Sequence, residues 1–255
     1  MTEEPYRWVE AISNRREYIQ HQLSGGSPIV ALSYRDGVLF LTLSRERQKI
    51  FEIYDRIAMG AIGHPGDIER LRMAAIEVAS TEGFTRSTQD VSLRRLATFS
   101  LSPALKAAFE QIYGPPYLAR MLFAELGREG EANLFVRIDF DGTMHTSGGT
   151  HLKSFEDYGV LAGTAVQAVA MEKRLAGGNH AQLELRDALK TALDAWIVGH
   201  LTHEDSEPPS AEAIAAARSD QLRDAVLEAA VMERGAPQAA AYRPLRREEM
   251  EGIAD

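Results

Sequence analysis

The residue types that most readily suggest chemistry sit together in His200-Leu201-Thr202-His203-Glu204-Asp205, two imidazoles and two carboxylates in one short run. Such side chains hold divalent metals. A metallohydrolase helix, however, sets two histidines four positions apart with a glutamate between them. The spacing here does not fit, and the run opens a polar stretch, so solvated loop residues are expected and no metal is assigned. The glycine pairs Gly25-Gly26, Gly148-Gly149 and Gly177-Gly178 lack the lysine and hydroxyl of a phosphate loop and the full dinucleotide fingerprint. Turns and helix ends account for them, and no cofactor is expected. Arg246-Arg247-Glu248-Glu249 is self-compensating surface charge with no assigned role.

Composition narrows the field further. The chain has 255 residues, 45% of them apolar and 25% charged, which is ordinary for a soluble globular protein able to bury a large core. It has no cysteine, so disulfides and thiolate metal sites are excluded. A net charge of −9 argues against nucleic acid as partner, because that binding needs a basic face. Met1 to Gln22 has no apolar core of a secretory signal, and no run is long enough to span a bilayer. A cytoplasmic protein with no membrane partner is expected.

The elements follow from periodicity. Val9, Ile12, Ile19 and Leu23 give residues 7–23 the spacing of an amphipathic helix, ended by Ser24-Gly25-Gly26. Ile29 to Tyr34 and Val38 to Leu43 flank Arg35-Asp36-Gly37 as a hairpin. Ile50 to Ile53 and Arg56 to Ile62 continue as strands. Asp67 is expected to cap a helix through Ile68, Leu71, Ala75, Val78 and Ala79, and Asp90 a second one through Val91, Leu96, Phe99 and Leu101. Ser102-Pro103 then kinks or restarts that helix. Strands return at 117–126, 134–140, 143–146 and 158–162. A helix follows through Val166, Val169 and Ala170, then another from Leu185 to Ile197. Residues 202–220 read as an inserted loop with a short helix, before a last hairpin around Gly235.

Helices therefore arrive in pairs between groups of strands, which disfavours a doubly wound parallel sheet. The expected fold is α+β, a four-layer αββα sandwich of two antiparallel sheets between helix pairs. Residues 1–26 are expected to form an N-terminal extension and 27–255 the sandwich domain.

At this point several segments are similar to those of a known family. Ser27-Pro28-Ile29-Val30-Ala31-Leu32 with Tyr34-Arg35-Asp36-Gly37-Val38-Leu39 resembles the first hairpin of 20S proteasome subunits. Gln48 to Arg56, Leu134 to Gly142, Leu227 to Val231 and Tyr242-Arg243 resemble later strands of the actinobacterial α-type subunit. The similarity runs from about Tyr6 to Ile253, with 202–220 as a departure, and implies the proteasome (N-terminal-nucleophile hydrolase) fold.

The resemblance poses a choice, since one fold carries catalytic β-type and non-catalytic α-type subunits. A catalytic subunit exposes an N-terminal nucleophile after cleavage behind a glycine, with an acidic residue and a lysine in support. Ser27 falls at the nucleophile's place, Gly26 before it, and Lys49 at the lysine's place. Leu43 and Ser44 stand where the acid should be, the nearest carboxylate being Glu46, and Pro28 stiffens the backbone. The α-type assignment therefore implies no catalytic residue, with a self-processed Ser27 hydrolase as the alternative and a scaffold without protease partner as a third possibility. Resemblance further implies a homo-ring of seven stacked on β-type subunits. It implies a gate from Met1, Thr2, Glu3, Glu4, Pro5 and Tyr6 that meters protein substrates. Lys49 and Gly63 are then expected to line a pocket receiving the C-terminal tail of a ring ATPase or other activator.

Overall fold

The computed structural model describes residues 4–44, 47–111, 113–148, 157–203, 209–235 and 241–253. The chain opens with helix α1 (Glu4–Leu23), then forms two antiparallel pairs, β1 (Ile29–Tyr34) with β2 (Gly37–Ser44) and β3 (Ile50–Tyr54) with β4 (Ile57–Gly63). Helices α2 (Pro65–Thr85), α3 (Leu93–Leu96) and α4 (Ser102–Glu110) follow, with a π-helical stretch at Ala97–Leu101. Strands β5 (Ala119–Glu125), β6 (Leu134–Ile138), β7 (Met144–Gly148) and β8 (Tyr158–Leu161) come next. Helices α5 (Ala165–Leu175), α6 (Leu185–Leu201) and α7 (Ala211–Asp224) lead into the closing pair β9 (Val226–Glu233) and β10 (Tyr242–Pro244).

Two five-stranded sheets result, ordered β10-β9-β2-β1-β8 and β3-β4-β5-β6-β7, with every pairing antiparallel. Their central strands are apolar at nearly every position because both faces are covered. In β1, Val30, Leu32 and Tyr34 face the helices α5 and α6, while Ile29 and Ala31 face the other sheet. Strand β4 repeats the device, with Ile57, Met59 and Ala61 toward α2 and Ala58 and Ile62 toward the first sheet. This two-residue alternation builds three stacked cores, and so the expected αββα sandwich.

Helix α1 is not a loose appendage. Ile19 and Leu23 are fully buried with Phe109 of α4 and Phe140, which follows β6. Arg15 donates to the Ala108 and Gly114 carbonyls, and Arg16 pairs with Asp141 while lying over the Phe109 and Phe140 rings. The extension and the sandwich share this core, and the helix begins at Glu4, earlier than its apolar spacing indicates.

Several local expectations change. His64, not Asp67, occupies the cap position of α2, with Pro65 opening the helix. Asp67 lies in the first turn and accepts from the Leu118 amide at 2.9 Å. Asp90 closes a single 3-10 turn, and the Ser92 hydroxyl caps α3 instead. Phe99 is exposed, because the π stretch rotates it off the core face. On α5, Val166 and Val169 point to solvent and Ala170 is half-buried, while Ala168, Met171 and Leu175 make the packed face. The 202–220 region contains most of a 14-residue helix, α7, capped by Ser210.

The burial of Ile19 generates a direct expectation. Ile19→Ala should cost about 2–5 kcal/mol, as large-to-small changes in a closed core do. Denaturant unfolding of the purified chain would measure it, and a loss below about 0.5 kcal/mol would mean α1 is not docked in this way.

Candidate functional site

Both sheets open at one end onto a cavity of about 680 Å³. Ser27, Lys49 and Gly63 all line it, so the fold brings together three residues far apart in sequence. Ser27 precedes β1, Lys49 precedes β3, and Gly63 ends β4.

The polar contacts at Ser27 decide its chemistry. Its hydroxyl donates to the Leu43 carbonyl at 2.6 Å, and the Thr42 hydroxyl donates to the Pro28 carbonyl at 2.7 Å. Lys49 Nζ donates to the Ser27 carbonyl oxygen at 3.3 Å, not to its hydroxyl. Gly26 donates its amide to the Leu23 carbonyl at 2.9 Å, fixing the turn out of α1. A serine attacks a carbonyl only when a base accepts its proton. Here the α-nitrogen is an amide, the hydroxyl is held by a backbone acceptor, and the lysine holds the backbone. These atoms brace a corner where α1 gives way to β1.

Lys49 is held from a second direction by a residue that sequence reasoning missed. The Glu228 carboxylate, on β9, accepts from the Lys49 amide at 2.9 Å and from the Ile50 amide at 2.9 Å. Burial pushes the Lys49 ammonium down to about 8, with the attraction of Glu228 opposing the shift. Burial likewise raises Glu228, against the pull of the two amides and the lysine. Desolvation outweighs attraction on both sides. Near neutral pH the ammonium is still largely charged. The available signal was a glutamate interrupting the apolar run Leu227-Glu228-Ala229-Ala230-Val231.

Gly63 has a more local reason to be glycine. Its φ is +132°, and a Cβ there would lie 2.0 Å from the Leu118 carbonyl oxygen. That carbonyl accepts from the His64 amide at 2.7 Å. The residue is thus required by the close approach of β4 to the start of β5, whatever enters the cavity.

The opposite wall comes from Trp196 and His200 of α6, whose rings stack at 4.9 Å, and from Gln221 and Ala225 at the end of α7. The C-terminal end of α7, just past the 202–220 segment, therefore borders the cavity. Helix α7 is pinned there by Arg218, which donates to Asp194 of α6 at 2.6 Å and 2.8 Å, while Arg174 of α5 takes the other oxygen. Of the His200 to Asp205 run, Glu204 and Asp205 lie outside the described residues, and among the described residues no cluster fit to hold a metal occurs. Of the expected gate, Met1, Thr2 and Glu3 also lie outside them, while Glu4, Pro5 and Tyr6 form the first turn of α1. No helix among the described residues is long and apolar enough to cross a membrane.

Comparison with known proteins agrees with this architecture. The family model described as Proteasome subunit matches residues 23–195. A protein of Actinosynnema mirum named proteasome subunit alpha is 31% identical over 234 residues, covering 91% of this chain and 80% of that protein. One of the same name from Thermobifida fusca is 28% identical over 247 residues, covering 96% and 86%. A third, from Kineococcus radiotolerans, is 30% identical over 188 residues, covering 73% and 74%. With a family model over residues 23–195 and relatives near 30% identity across most of its length, the chain belongs to the proteasome subunit family.

Proposed function

We propose that this chain is a non-catalytic, α-type ring subunit that governs entry into a 20S-like proteasome and docks activators through the Lys49 cavity. The observation that carries this is the state of Ser27, whose hydroxyl is held by the Leu43 carbonyl while Lys49 holds its own carbonyl. Positions Leu43 and Ser44, where a catalytic subunit would present an acid, supply only a carbonyl and a short hydroxyl. The packing of α1 adds support, because cleavage before Ser27 would strip Ile19 and Leu23 from a closed core. The names of the relatives point the same way.

The mechanism is positional. Copies of the chain close into a homo-ring, seven by family resemblance, stacked on β-type subunits that carry the threonine nucleophiles. The residues before α1, with its first turn, lie at the entrance and restrict passage of protein substrates in the cytoplasm. A tail from a ring ATPase or comparable activator enters the cavity, its terminal carboxylate meeting the Lys49 ammonium. Partial burial strengthens that charge-assisted contact relative to one in open water. Gly63 keeps this edge of the cavity free of a side chain.

Co-expression with the β-type subunit should yield a mixed complex whose α chains retain every residue before Ser27 by intact mass. Loss of those residues would instead make this chain the hydrolase. Lys49→Ala should assemble as the parent does, yet lose most activator-stimulated degradation, and normal stimulation in that variant rejects the docking assignment. The contact also carries a pH signature. Lys49 is charged below about 8 and loses its proton above, so stimulation relative to the unstimulated rate should decline as pH rises from 8. Carboxylate binding moves the midpoint upward. Lys49→Arg, charged throughout, should flatten that profile, and an identical decline in both would exclude Lys49 as its source.

A further inference from the structure

Strand β9 carries one residue out of keeping with its face. Ala230 and Met232 point into the core between the sheets, and the two-residue alternation puts Glu228 on that same face, at its edge. A half-buried carboxylate is costly to hold there, and an apolar side chain of similar size would pack as well or better. Glu228 is nevertheless tied down firmly. Its Oε1 accepts from the Lys49 amide at 3.1 Å and the Ile50 amide at 2.9 Å, and its Oε2 from the Lys49 amide at 2.9 Å. Glu228 does not itself line the Lys49 cavity. It stands behind the lysine, away from the wall that a ligand meets.

We infer that Glu228 is the positioning residue of the docking site, a fixed counter-charge that holds the Lys49 backbone and keeps its side chain an ammonium for the incoming carboxylate. The inference rests on the docking assignment made above and deepens it. Half-buried as it is, Lys49 is driven toward the free amine, which offers a peptide carboxylate no charge. Glu228 supplies the attraction that opposes this. The remaining charged groups around the lysine do not replace it. Arg47 on the same connection and His200 of α6 line the cavity, and neither can favour a neighbouring cation. Glu69 of α2 also lines it, but both its oxygens are taken by Arg72, at 2.7 and 2.8 Å. The Tyr242 hydroxyl on β10 is pushed up to about 12 by burial and by the charges of Glu228 and Glu52, and so stays neutral. Arg45 and Glu46 lie outside the described residues.

Competitive acetylation separates this role from simple bracing, because only the neutral amine reacts. The full-length chain would be labelled with trace acetic anhydride across a pH series, with no activator present, and Lys49 acetylation read by peptide mass spectrometry. The parent should titrate at about 8. Glu228→Gln keeps an oxygen able to take both amides, as Oε1 already does, and loses the charge. Its Lys49 midpoint should fall by about one pH unit, the scale of losing a nearby opposite charge. Tyr242→Phe removes the other cross-sheet hydrogen bond and no charge, so its midpoint should match the parent's. With activator added, Glu228→Gln should lose stimulation at correspondingly lower pH, and in the Lys49→Arg background the same substitution should change nothing. An unmoved Lys49 midpoint in Glu228→Gln, or an equal fall in Tyr242→Phe, overturns the inference. Equal loss of stimulation in the Lys49→Arg background also overturns it, by marking Glu228 as a brace alone. A midpoint that falls while stimulation ignores it upholds the hold of Glu228 on Lys49 and rejects docking at Lys49 itself.

Discussion

One carboxylate ties the two sheets together at the end of the sandwich that matters. Glu228 belongs to β9 of the first sheet, and the amides it accepts from, at Lys49 and Ile50, introduce β3 of the second. No ladder can make this link, because strands of facing sheets do not exchange backbone hydrogen bonds. Tyr242 reinforces it, donating its hydroxyl from β10 to the Ile50 carbonyl at 3.3 Å. With β3 fixed, Lys49 is delivered against the Ser27 carbonyl and the mouth of the cavity takes its shape. The cost is a carboxylate and an ammonium both partly out of water, which is why both are displaced toward their neutral forms.

The constraint explains how one fold can carry two kinds of subunit. A hydroxyl, a lysine and a strand corner lie together here as they would around a nucleophile, yet each polar group is satisfied by backbone. Geometry that would activate a freed N-terminus instead fastens a continuous chain, and the lysine's remaining capacity faces the cavity. On the α-type reading proposed above, the difference lies in a few substituents at the corner, Leu43 and Pro28 foremost, and in a helix packed ahead of Ser27.

Much of the architecture was legible in the sequence. The β1–β2 hairpin is announced by Arg35-Asp36-Gly37 between two apolar runs, and the structure pairs Tyr34 with Gly37 there. Paired helices between strand groups sufficed for the sandwich, and a strand as uniformly apolar as β1 needs both faces covered, here by helices on one side and the facing sheet on the other. What failed was local and has local causes. Val166 and Val169 look like core residues by type, but the packed face of α5 runs through Ala168, Met171 and Leu175, which the spacing chosen from the valines passes over. Asp67 resembles a cap and serves instead a strand edge distant in sequence, through Leu118. Resemblance singled out Lys49, Gly63 and Ser27, which the structure places on one cavity. Glu228, Trp196 and the end of α7 were not, because each acts across a gap of more than a hundred residues that no periodicity encodes.

The pinning of α7 has a bearing on how such folds accept new material. The chain leaves α6 at Leu201 and must start β9 at Val226 in register with Ser44 of β2. Winding the intervening length into a 14-residue helix of about 21 Å and strapping it across α6 by one shared carboxylate takes up the slack. The β-ladder feels none of it. Sequence can therefore lengthen here as a graft rather than a distortion, and the graft ends beside the cavity, where new side chains gain a view of whatever enters.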